Sequence, residues 1–197
     1  MSTSDWRLLF SGLSILLTVG GFVPYVLGII KGRVRPHMVS WLIWGTTTFL
    51  VFIAQLQDGA GIGAWPIGVS GLATLSVALL AYRYRADITV TRTDRLFLLL
   101  ALSSLPVWYL TDNPLWAVVI LTGADLLGFG PTYRQVWHRP WSESMVFFLL
   151  LGMRNVLVLL ALEHYSVTTA LFPAAIGLAS FTLLGLLTLR RRTLAAT

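Results

Sequence analysis

The sequence predicts an all-α membrane protein. The predicted plan is seven transmembrane helices in two parallel three-helix bundles joined by a linker helix (3+1+3), with the N-terminus outside and the C-terminus cytoplasmic. Three observations predict it. The 197-residue chain is 56% hydrophobic and only 11% charged, against about 25% charged in a soluble domain, and its mean hydropathy is +0.79. Its apolar residues gather into seven long runs, and its basic residues gather into alternate connections between them.

A spanning helix needs about 20 mostly apolar residues, because the hydrocarbon layer is about 30 Å thick and each residue rises about 1.5 Å. The runs are 8–30, 38–56, 62–82, 96–110, 115–136, 145–162 and 167–189, taken as helices 1 to 7. Helix 1 is too long for a signal-peptide core and lacks a small-residue cleavage site, so it is expected to be retained. Helix 4 is the shortest, with an apolar core that covers only about 22 Å. The runs are continuous and do not alternate as barrel strands do.

The charges define the sides. Lys31, Arg33 and Arg35 follow helix 1; Arg83, Arg85, Arg92 and Arg95 follow helix 3; Arg134 and Arg139 follow helix 5; Arg190, Arg191 and Arg192 form the tail. In a seven-helix count all of these fall on one side, where the positive-inside rule puts the cytoplasm. The other side carries Arg7 with Asp5, Asp58, Asp112 and Glu163. Dropping helix 4 would spoil this alternation. The formal charge of +6 is therefore assigned to cytoplasmic loops and not to nucleic acid. Trp108, Tyr109 and Trp116 flank the outer ends of helices 4 and 5, and Trp65, Trp137 and Trp141 lie near other predicted ends, as interfacial belts do. There is no cysteine, so disulfides and thiol chemistry are excluded.

The chain repeats itself at a shift of 107 residues. Gly21-Phe22-Val23-Pro24 matches Gly128-Phe129-Gly130-Pro131, and Met38-Val39 matches Met145-Val146. Gly45 matches Gly152, Pro66 matches Pro173, and Arg83 and Arg85 match Arg190 and Arg192. The physical reading is two copies of a three-helix unit. The expected domains are 1–85, a linker helix within 86–112, and 113–197. One intervening helix restores the starting side, so the units are parallel, an arrangement known among transporters with a midplane site between the halves.

This plan, with Pro24 and Pro131 near the cytoplasmic ends of the first helix of each triplet, resembles the SWEET and PQ-loop superfamily, which includes SemiSWEETs and nicotinamide riboside-type vitamin transporters. The resemblance covers nearly the whole chain. It implies alternating access by rocking of the two triplets. The Pro-Gln signature is replaced by Pro24-Tyr25 and Pro131-Thr132. The prolines that SWEETs carry on the second helix of each triplet are absent, as are the Asn residues that sugar SWEETs place on helices 3 and 7. These departures point away from a neutral sugar.

Asp125 falls near the middle of helix 5, and Arg154 and Asn155 near the middle of helix 6. An ionisable group at that depth costs about 2.5–3.5 kcal/mol on insertion scales and normally faces a partner or a wet cavity. Asp125 and Arg154 are expected within reach of each other, directly or through water. Arg154 is a candidate for an anionic group of the solute, with Asp125 as counter-ion or proton carrier. A permanent lock between helices 5 and 6 is the structural alternative. The repeat places Thr18 at the position of Asp125, Thr47 at that of Arg154 and Thr48 at that of Asn155, which predicts an asymmetric site. Thr46, Thr47 and Thr48 have the alternative of bonding to their own helix carbonyls. Trp44 is a candidate for stacking on the solute, and Trp41, one turn nearer the interface, for anchoring. Pro24 and Pro131 are candidate gating hinges or static kinks. Gly20, Gly21, Gly128 and Gly130 permit close helix approach.

His37, His138 and His164 have no metal-ligand spacing, and no metal, cofactor or catalytic set is expected. Glu163 and His164 read as a solvated outer loop. Lys31 is the sole lysine and lies in a connection, which excludes a retinal Schiff base. The expected function is transport of a small polar solute, amino-acid-like, carboxylate or vitamin-like, by alternating access, with protons coupled through Asp125. The second expectation is a ligand-binding receptor or partner subunit on the same fold; an enzyme ranks third. The expected partners are the bilayer, the solute and protons, with a homo-oligomer left open and no nucleic acid. Arg-rich, Lys-poor usage points to a bacterial inner membrane.

Overall fold

The computed structural model describes residues 3–32, 38–84, 90, 92–138, 140, 141 and 143–195, without the side chains of Thr3, Thr93, Asp94, Phe97, Pro131, Arg134 and Gln135. Arg33, Arg35, His37, Arg85 and Arg139 lie outside this set. The architecture is all-helical, with no strand among the described residues. The helices are α1 (Thr3–Ile30), α2 (Met38–Gln57), α3 (Trp65–Arg83), α4 (Arg92–Thr111), α5 (Pro114–His138), α6 (Met145–Ala161) and α7 (Val167–Ala195), with a 3-10 turn (Gly61–Ala64) before α3.

Local chemistry sets several boundaries. Pro66 sits in the first turn of α3, where its missing N–H costs nothing. Ser144 caps α6 by accepting the Phe147 N–H at 3.3 Å, and Asn113 Oδ1 accepts the Leu115 N–H at 2.9 Å at the start of α5. Both α1 and α7 run unbroken through Pro24 and Pro173. Pro131 lies within α5.

Four segments are long and apolar enough to cross a membrane: Ser4–Ile30, Met38–Gln57, Gly61–Arg83 and Val167–Ala195. Leu98–Thr111, Pro114–Gly130 and Met145–Ala161 are apolar but shorter. The outside of the molecule is greasy, with Leu16, Leu79, Leu99, Leu110 and Leu178 among its exposed residues. A soluble fold of this size seldom exposes so much contiguous apolar surface, and a membrane protein does.

Packing does not follow chain order. The third helix of each repeat lies between the other two: α3 contacts both α1 and α2, and α7 contacts both α5 and α6. Across the repeats α1 packs on α6, and α2 on α5. Exchanging α1, α2 and α3 for α5, α6 and α7 maps this pattern onto itself. The fourth helix lies against α5 and α2. Matched glycines make the intimate contacts within each repeat. A Cβ on Gly45 would fall 2.7 Å from Leu75 of α3, and one on Gly152 would fall 2.7 Å from Phe181 of α7.

One core joins both repeats. It includes Val51, Phe52, Ile67, Val118, Leu121, Val158, Leu162 and Phe172. A second, built from Val136, Phe148, Leu183 and Leu187, belongs to α5, α6 and α7 alone.

Candidate solute-binding site

Two of the polar residues singled out in the sequence, Asp125 and Thr47, meet across the α2–α5 seam, and the Arg154 backbone meets Ser14 across the α1–α6 seam. On the α2–α5 seam, Thr47 is buried and its hydroxyl lies 3.1 Å from Asp125 Oδ1 and 3.0 Å from the Trp44 carbonyl. A hydroxyl has one proton to donate, so these two acceptors compete for it. One turn along, Gly128 of α5 backs onto the indole of Trp44, whose Nε1 lies 3.3 Å from the place a Cβ would occupy. Trp44 also meets Trp41 edge to face at 6.0 Å, and Trp41 packs on Tyr25 at 4.9 Å and Phe22 at 6.2 Å. Trp41 is therefore the hub of an aromatic cluster between α1 and α2.

On the α1–α6 seam, Arg154 is 4% exposed. Its Nη2 donates to Asn155 Oδ1 at 3.2 Å, and its Nε is buried with no acceptor. Asn155 Nδ2 donates to the Leu151 carbonyl at 2.8 Å. Ser14 of α1 donates to the Arg154 carbonyl at 3.1 Å, and Thr18 to the Ser14 carbonyl at 2.9 Å. Thr48 is buried on α2.

Asp125 and Arg154 form no ion pair. Helices adjacent in sequence were expected to be neighbours, but α7 intervenes between α5 and α6, and the two charges occupy different seams. The structure brings Asp125, Thr47 and Trp44 together and, separately, Arg154 with Asn155. Thr46, expected to bond its own helix, donates to the Leu42 carbonyl at 2.8 Å.

The connections after α2 and α6 interlock, which sequence reasoning missed. Glu163 N–H donates to the Ala60 carbonyl at 3.1 Å, and Glu163 Oε1 accepts the Ile62 N–H at 3.0 Å. His164 Nδ1 lies 2.9 Å from the Asp58 carbonyl, and Ser166 Oγ donates to the Asp58 carboxylate. Beneath them Gln55, fully buried on α2, donates to the Thr169 carbonyl at 2.7 Å. Glu163 and His164 are exposed, as expected of a solvated connection, and they also join a latch between the two connections. A signal was available: 58–64 and 165–171 are equivalent under the 107-residue shift, and a buried Gln in an apolar helix needs a partner.

At the opposite end of α7, Arg190 donates to the Trp137 carbonyl at 3.0 Å and lies over that indole. Arg191 donates to the carbonyls of Pro140 and Glu143 at 3.0 and 2.7 Å. Burial raises the Glu143 carboxyl above its ordinary pKa. Two grooves of about 500 and 480 Å³ lie on α7 around Tyr165–Ala174 and between α4 and α5 around Leu100 and Gly123. None of the predicted site residues lines either one. No family model matches the chain, and no curated protein or solved structure is significantly similar to it.

Proposed function

We propose that the chain is a transmembrane carrier of a small polar solute that works by alternating access between two triple-helix halves. The single observation that carries this reading is the packing that survives exchange of the two repeats. Most of their mutual contact then lies in two seams, beside a smaller α2–α7 contact and the latch, and those seams hold Asp125, Thr47 and Arg154. A carrier needs such a division, because two similar halves can rock about a site between them. The seven helices, the repeat and the charge bias support a 3+1+3 plan with the N-terminus outside, in the manner of SWEET and PQ-loop proteins. On that reading the latch of Asp58, Ala60, Glu163 and His164 is the outer gate, caught closed. Trp44 and Thr48 line the route from the cytoplasmic side, Pro24 and Pro131 serve as hinges, and Asp125 is the candidate proton carrier. The bacterial inner membrane fits the Arg-rich usage.

The test is reconstitution into liposomes with uptake of radiolabelled amino acids and short carboxylic acids. Saturable uptake, with a tag at the C-terminus reachable only from the cytoplasm in cells, is the expected result. Binding without flux would replace this reading with a receptor or partner subunit.

A further inference from the structure

We infer that Arg154 binds a carboxylate carried by the solute, and that this carboxylate supplies the counter-ion the protein does not. The inference rests on the carrier reading for the route by which a solute reaches so buried a place. It stands on geometry. The guanidinium has five N–H donors. Its one hydrogen-bond acceptor among the described residues is the neutral amide oxygen of Asn155, and Nε is buried without any. Asp125, the acid expected to pair with it, is engaged with Thr47 on the other seam.

Among the described residues no other side chain accepts a hydrogen bond from the guanidinium. The hydroxyls of Ser14 and Thr18 donate to backbone carbonyls, and Asn155 Nδ2 donates to Leu151. A buried cation in such a setting is costly unless an anion completes it, and guanidinium geometry matches a carboxylate. The charge also sets the class. Apart from Arg7, every other Lys and Arg lies in or beside the connections after helices 1, 3 and 5 or in the tail, so Arg154 offers a single positive charge. That neutralises a monocarboxylate and leaves a phosphate, at about −1.5 to −2, under-compensated.

The experiment is a thermal-shift assay on the purified full chain with four probes, each against its uncharged amide: acetate, lactate, benzoate and nicotinate. At least one acid should raise Tm by several degrees beyond its amide. Arg154→Gln should weaken that acid at least tenfold, while Asp112→Asn, which removes an exposed charge away from both seams, leaves the preference for acid over amide intact. Equal shifts from all acids and amides, or an acid preference that survives Arg154→Gln, would overturn the inference. If Arg154→Gln does not fold, the wild-type comparison of acids with amides still decides. Saturable uptake of an amide that ignores Arg154→Gln would sink the inference and keep the carrier reading. Acid binding through Arg154 without flux would do the reverse.

Discussion

The α2–α5 and α1–α6 seams occupy equivalent places in the two repeats, and they differ in one respect. In the first, the acid Asp125 faces a hydroxyl from the opposite half. In the second, Arg154 reaches, among the described residues, its own neighbour Asn155. One seam is satisfied across the halves by side chains, and the other leaves a cation short of acceptors. Equivalent packing therefore does not imply equivalent chemistry. A duplicated frame can keep its glycines and its helix order while the groups that meet a solute diverge.

The sharpest way to probe this contrast is to remove one group from each seam. Thr47→Val should cost about 1 kcal/mol, the low end of the penalty for leaving a polar partner unsatisfied, because Asp125 is half-buried. Arg154→Met should be near neutral or raise Tm slightly in the absence of solute, because it deletes an uncompensated buried charge. Thermal unfolding in detergent measures both. A large loss from Arg154→Met would mean that the guanidinium is paired after all.

A smaller effect separates the matched glycines. Alanine at Gly45 would collide with the backbone nitrogen of Leu75 at 2.8 Å, whereas alanine at Gly152 first meets the Phe181 ring. Rings swing aside and backbones do not. Gly45→Ala should lose on the order of 1 kcal/mol even after the helix-propensity gain of alanine. Gly152→Ala should sit near zero, as chemical or thermal melts would reveal.

The smallest effect lies at the basic end. An acid whose folded pKa is raised binds more protons folded than unfolded, so stability falls as pH rises through that window. With Glu143 raised by burial, the wild type should gain Tm relative to Glu143→Gln when pH drops from neutral toward the ordinary carboxylate range. Parallel Tm curves would remove Glu143 from the account.

Helix positions were largely legible in the sequence, because long apolar runs in a chain with 11% charge have few other uses. The predicted run 38–56 and the helix Met38–Gln57 differ by one residue. The break at Gly61–Ala64 was not visible, since a 3-10 turn keeps the same apolar composition. Asp125, Thr47, Trp44, Arg154 and Asn155 were legible as polar or aromatic residues at interior depth. Their partners were not, because pairing depends on which helices touch. Sequence order suggested α5 beside α6, and the insertion of α7 between them moved Asp125 toward Thr47. The partners of Glu163 and His164 were hidden for a similar reason. Their partners lie about a hundred residues away in the matching loop.

The absence of native cysteine permits a direct test of the central claim, that the two halves must part at the latch for solute to pass. A Cβ on Gly59 would lie 3.6 Å from the His164 Cβ, within the disulfide range of about 3.5–4.5 Å. A side chain at the positive φ of Gly59, +77°, costs about 1–2 kcal/mol, equally in oxidised and reduced protein. The measurement is liposome uptake of labelled amino acids and carboxylic acids by Gly59→Cys/His164→Cys, oxidised and then reduced. The account predicts uptake abolished on oxidation and restored by reduction. Equal uptake in both states would contradict it.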